Sequence, residues 1–267
     1  MTALVLADLR SRWRSLAALT GGCFTLLVVL SGTYSAYGGA AGFAKSFGAG
    51  HTPKLISAFS GAPAGDIFAP SHFLAFGFGH PLFLVLALSV AITTGVGAIA
   101  ADVETGRAEL LFTAPVERSA ILHARLWEWG IAQVAVVAGA LVGALVGEQL
   151  SSDLSRVSVA VPFRVVAQFC FLAFFVGAVS FAASARARTR GAAFGAAVGV
   201  TAGCYVANLV ALLWHPLAFV RRLNPFGYYA PTSAAQHVDW VSGLVLLAVG
   251  CVLLALAQHW LSRRDLA

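Results

Sequence analysis

Six stretches of this chain are each long and apolar enough to cross a lipid bilayer as a helix, and they constrain its fold more than any other feature. A hydrocarbon core about 30 Å thick takes roughly 20 apolar residues in helical form. The stretches fall at residues 16–37, 81–101, 126–147, 165–185, 191–213 and 240–260. Lipid offers no partner to an open backbone amide, so a spanning segment must be a helix or part of a closed barrel. Barrel strands alternate apolar and polar residues over about 10 positions. Runs such as Phe83-Leu84-Val85-Leu86-Ala87-Leu88 do not alternate. The expected fold is therefore an all-α integral membrane protein, one domain over residues 1–267, with six transmembrane helices. Composition agrees: 59% of the residues are hydrophobic and 10% charged, against about a quarter charged in soluble proteins. A soluble enzyme, a disordered chain and a disulfide-stapled secreted domain are excluded. Cys23, Cys170, Cys204 and Cys251 lie inside apolar segments without C-x-x-C spacing and read as packing residues.

The second stretch begins ahead of its span. Pro81 suits the first turn of a helix, where a missing N–H costs nothing. Residues 71–79 are expected as an interfacial or re-entrant piece leading into it. The first stretch exceeds the 7–15 apolar residues of a signal peptide and is expected to be a retained span.

Cations set the direction. With the N-terminus inside, the inner segments hold Arg10, Arg12, Arg14, Arg107, Arg118, Arg125, Arg186, Arg188, Arg190, Arg263 and Arg264. The outer segments (38–72, 148–164 and 214–239) hold Lys45, Lys54, Arg156, Arg164, Arg221 and Arg222. Eleven against six favours N-in and C-in. The expected location is the cell (cytoplasmic or inner) membrane, with multiple passes.

Two spans carry small-residue ridges. Gly191, Gly195, Gly199 and Gly203 repeat every four residues in the fifth, and Gly139, Gly143 and Gly147 in the third. Such spacing opens a flat groove that lets a neighbouring backbone approach closely. The neighbour is either another helix of the same chain or a second subunit, so these glycines are candidates for a packing or dimer face.

The inner segment 102–125, DVETGRAELLFTAPVERSAILHAR, is too polar for lipid and too patterned for a slack linker. Glu104 and Arg107 are i,i+3 partners on a helix. Ala108, Leu111 and Phe112 form an apolar face. Pro115 ends that run, and Ser119 can cap a new helix running into the third span. An amphipathic helix, a turn and a second helix are expected on the inner surface. Such a helix either lies among headgroups or fills a groove on a cytoplasmic partner.

This segment resembles the inner loop of ABC-type-2 exporter permeases. Asp102, Glu104, Gly106, Glu109, Leu110, Leu111, Pro115, Val116, Arg118 and Arg125 stand where that family places its acid, Glu, Gly, Glu-Leu-Leu, Pro-Val, Arg and basic residues. Arg107 replaces a frequent Thr, and Glu117 a frequent Ser. Residues 223–231, LNPFGYYAP, and the close at 262–266 are similar to further family segments. The resemblance implies two six-helix permease units, the second identical or a similar paralogue, above two ABC ATP-binding subunits that carry ATP and Mg. It further implies that the inner loop, including Arg107 and Phe112, is a coupling element docking into the ATPase. Substrate would move outward.

The sequence carries no chemistry of its own. Lys45 and Lys54 follow no glycine, so G-x-x-x-x-G-K-[ST] is absent and no ATP site of that type exists. No G-x-S-x-G or H-E-x-x-H occurs either, so no catalytic or metal residue is proposed. Glu128, beside Trp127 and Trp129, is expected to reach the interface rather than relay protons. Gln133, Gln168 and Asn208 either line a pathway or bond neighbouring helices. The scarcity of charge within the spans suits an amphipathic or hydrophobic cargo. The reading is a non-catalytic exporter permease subunit binding membrane lipid and no nucleic acid. An ion-driven secondary transporter, and behind it an intramembrane enzyme, are the alternatives.

Overall fold

The computed structural model describes residues 2–47, 66–106 and 118–263. Among them every regular element is helical and no strand occurs. The helices, in chain order, are α1 (Thr2–Ala36), α2 (Gly39–Phe47), α3 (Pro70–Gly79), α4 (Pro81–Gly97) and α5 (Ala100–Glu104). They continue with α6 (Arg118–Gln149), α7 (Ala160–Arg186), α8 (Arg190–Leu213), α9 (Pro231–Ala234) and α10 (Trp240–Ser262). Five helices (α1, α6, α7, α8 and α10) are long and apolar enough to cross a membrane singly. A sixth candidate crossing is the pair α3 and α4, bent by 46° at its break.

Local chemistry explains the breaks. Pro81 occupies the first turn of α4, and His80 Nδ1 accepts the amide of Leu82 at 3.2 Å. At its other end α4 stops at Gly97, short of residue 101. Ala98 and Ile99 interrupt the helix before α5 resumes it. The freed groups there are met by one side chain from α7. Ser184 Oγ accepts the amides of Ile99 (3.1 Å) and Ala100 (2.9 Å) and donates to the carbonyl of Val96 (2.8 Å). A break inside an apolar bundle is tolerated when its orphaned backbone groups are met in this way. The first helix runs well ahead of its apolar stretch, so Arg10, Arg12 and Arg14 project from the same rod as the span.

Helix α7 lies inside the bundle. Val165, Phe169, Leu172, Phe181 and Gln168 on it are buried. It packs between α4, α10, α8 and α6, while α1 pairs chiefly with α6. At the His80 end of α4, Phe78, Phe83, Phe169 and Tyr229 form a chain of ring contacts with centroids 5.1 to 5.9 Å apart. Tyr229 donates its hydroxyl to the carbonyl of Phe78 at 3.0 Å. The 223–231 segment is thus keyed into the bundle at the bend between α3 and α4. Asn224 holds its shape, donating to Cys204 O (2.7 Å) and accepting from Phe226 N (2.9 Å).

Candidate functional site

Four Arg-bearing segments converge at one end of the bundle, the end at which α4 stops. Arg125, on α6, is the centre. It is 8% exposed. Its guanidinium donates to Asp102 on α5 at 2.9 Å and to Glu128, one turn along α6, at 3.1 Å, and it pairs with Asp8 on α1. Arg12 lies 3.9 Å from the other oxygen of Glu128 and donates to the carbonyl of Thr93 on α4 at 3.4 Å. One guanidinium therefore serves carboxylates from α1, α5 and α6. Removing one member of such a buried cluster strands the rest, at a cost of about 3–5 kcal/mol.

A second tie joins α5 to α8. Glu104 Oε2 accepts the backbone amide of Arg190 at 2.8 Å, at the first turn of α8, where Thr189 also accepts the amide of Ala192 at 3.2 Å. A carboxylate at a helix N-terminus meets unpaired amides and the positive end of the helix dipole. Two residues past the end of α5 stands Gly106, whose φ of +71° only glycine adopts without strain. On the far side Arg186 stacks on Trp260, its guanidinium carbon 5.0 Å from the ring. Beside the cluster opens a cavity of about 510 Å³, lined in part by Asp8, Arg12, Thr93, Asp102, Glu128 and Arg190.

Of the expected coupling residues, Asp102, Glu104 and Gly106 are placed by this geometry. Arg107, Glu109, Leu110, Leu111, Phe112 and Pro115 lie outside the described residues, as does the expected amphipathic helix. Arg118 opens α6, and only its backbone is described. Glu128 departs from expectation. It is 3% exposed and bonded to Arg125 at 3.1 Å. Asp8, Arg12, Ser184 and Arg190 were not singled out by the sequence as site residues. The available signal was spacing: Asp8 with Arg12 at i,i+4 and Arg125 with Glu128 at i,i+3, each pair on one helix face.

The polar residues expected inside the spans take different partners and surroundings. Gln168 donates to Tyr228 O (3.1 Å) and accepts from Asp239 N (3.2 Å). Gln133 reaches the carbonyl of Ala87 at 3.5 Å. Asn208 lines a small separate cavity with Tyr205 and Arg221.

The two glycine ridges face different surroundings. A Cβ on Gly139 would collide with Thr20, on Gly147 with Ser31, and on Gly143 would come within 2.5 Å of the carbonyl oxygen of Phe24. The α6 ridge is therefore the seat of α1. Gly191, Gly195, Gly199 and Gly203 on α8 are exposed, with nothing within 4 Å of an added Cβ.

A family model described as ABC-2 family transporter protein matches residues 3–266, nearly the whole chain. No protein of curated function and no solved structure matches it.

Proposed function

The chain belongs to the ABC-2 family of transporter proteins and is a multi-pass membrane permease; from that premise we propose that it is the export subunit of an ATP-driven pump. ATP and Mg are held by a separate ABC ATP-binding subunit, present in two copies. Two permeases, identical or paralogous, stand above them with both termini in the cytoplasm. The cargo is amphipathic or hydrophobic and moves outward.

The observation that carries this reading is how α5 is attached at the start of the 102–118 segment. This helix is bonded to α1 and α6 through Asp102 and Arg125 and to α8 through Glu104. A push on the segment by a closing ATPase is delivered at once to three membrane helices. Work is transmitted only if these contacts differ between inward- and outward-facing states. The open α8 ridge offers the second permease a face for close backbone approach. Glu128, the carboxylate best placed for a proton relay, is occupied by Arg125, which favours an external motor over an ion gradient.

The test is a mild-detergent purification from native membranes, followed by reconstitution of whatever P-loop protein accompanies the permease. Reversing both charges, Glu109→Arg with Arg118→Glu, is expected to leave the permease folded and to abolish the effect of the permease on ATPase rate. An ATPase rate that responds to the double variant as to the wild type overturns the docking role.

A further inference from the structure

A second polar site lies at the other end of α4, far from Arg125. Tyr205 OH, Asn208 Oδ1 and Arg221 Nε are buried there, and none has a hydrogen-bond partner. Asn208 is 9% exposed. All three residues line one cavity of about 40 Å³, closed by Phe226 and Tyr229. Buried polar groups are almost always paired, so three orphans around one space mark a place where a ligand or water supplies the partner. No carboxylate pairs with Arg221 among the described residues. The nearby Asp239 is engaged by the amide and hydroxyl of Ser242.

Two further spaces adjoin this cavity. Leu84, Tyr205 and Phe226 also form walls of a groove of about 280 Å³ between α4 and α8 that is almost wholly apolar, with Leu88, Ile92 and Val198 on its walls. Leu212 and Arg221 also line an open space of about 590 Å³, together with Arg222 and His215 and with no acidic residue. Along α4 the groove runs from Pro81 to Ile92, roughly 16 Å at about 1.5 Å per residue. That is close to half of a hydrocarbon core of about 30 Å. An apolar slot about as long as one leaflet is thick thus lies next to orphaned polar atoms, and these next to two arginines.

We propose that this run of spaces binds an anionic amphiphile. One acyl chain occupies the α4–α8 groove, polar groups at its neck bond Asn208 and Tyr205, and the anionic head sits on Arg221 and Arg222. The occupant is either a membrane lipid or a single-chain amphiphile from another source. The two share this chemistry.

The test uses the full chain in phosphatidylcholine nanodiscs without any ATPase subunit, so its result is independent of the coupling role. Spin-labelled lysophosphatidylglycerol and lysophosphatidylcholine are titrated, and the motionally restricted signal is read. Lysophosphatidylglycerol is expected to bind about tenfold or more tightly than the zwitterion, the scale of one charge-assisted hydrogen bond. Arg221→Ala should erase the preference and Arg221→Lys keep most of it. Val198→Trp should weaken both lipids by filling the slot. If that variant fails to fold, the Arg221 series alone decides, since it alters only the head seat. Competition by unlabelled diacyl phosphatidylglycerol identifies a membrane lipid as the occupant, and its absence a single-chain ligand. Equal binding of both headgroups to the wild type, or a preference that survives Arg221→Ala combined with Arg222→Ala, overturns the proposal.

Discussion

Helices α6 and α8 carry the same signature, glycines repeating every four residues, and use it in opposite ways. On α6 the ridge is occupied: α1 lies so close that Gly143 has no room for a Cβ beside the backbone of Phe24. On α8 the ridge is bare. The same contrast extends to the polar ties. The α1–α6 pair is clamped by Arg125, Asp8, Glu128 and Arg12. Helix α8 is tied at that end by a backbone bond to Glu104. Equal spacing therefore gives equal capacity for close approach, and the difference in use comes from whether the chain itself supplies the neighbour.

Four substitutions break or sharpen this contrast, the largest expected effect coming first. Arg125→Met should cost about 3–5 kcal/mol by stranding three carboxylates. It is read as a fall in midpoint during unfolding in detergent, and a loss below about 1 kcal/mol would show that the cluster does not hold α1 to α6. Gly143→Leu should cost about 1–3 kcal/mol through overpacking against α1, visible in the same assay. Gly199→Leu should change the stability of the single subunit by no more than about 0.5 kcal/mol. Its expected effect is on the dimer fraction measured in bilayers. A fall in subunit stability matching that of Gly143→Leu would erase the distinction between the ridges. Glu104→Gln removes only the charge at the start of α8 and should cost about 0.3–1 kcal/mol. Amide hydrogen exchange in the first turn of α8 should rise, with α1 and α6 unchanged.

A fifth expectation concerns the N-terminal cap of α10. Hydrogen bonds from Ser242 hold the Asp239 carboxyl below its usual range. A depressed folded pKa adds stability above the unfolded value of about 3.9. That contribution is lost as pH falls through the lower folded value. Protection of the first turn of α10 should therefore decline on acidification and be insensitive to pH in Asp239→Ala. An equal acid response in both proteins would remove Asp239 as the titrating cap.

The spans were legible because lipid imposes one rule on every residue that enters it, and an apolar run of the right length satisfies that rule without reference to the rest of the chain. Pro81 announced the start of α4 for a similarly local reason. The break at Ala98-Ile99 was not legible, since its stabiliser, Ser184, lies more than eighty residues away on α7. Arg125 could be counted as a cation but not as the hub of a cluster, because Asp8 and Asp102 come from other helices. For Gln168 the sequence left open a pathway or a bond between helices, and its partners, the backbone at Tyr228 and Asp239, lie sixty and seventy-one residues away.

The sequence alone determined the class of the molecule: an all-helical membrane protein without a G-x-x-x-x-G-K-[ST] motif, whose 102–125 segment resembles the coupling loop of a permease. Only the tertiary structure decided which of two identical glycine ridges is filled, which carboxylates share Arg125, and which polar atoms within the spans are left without partners. The physical reason is one of range. Transfer into lipid and helix formation are decided by neighbours within a turn or two. Pairing of charges, close packing of backbones and the orphaning of a buried group depend on what a distant part of the chain brings within about 4 Å.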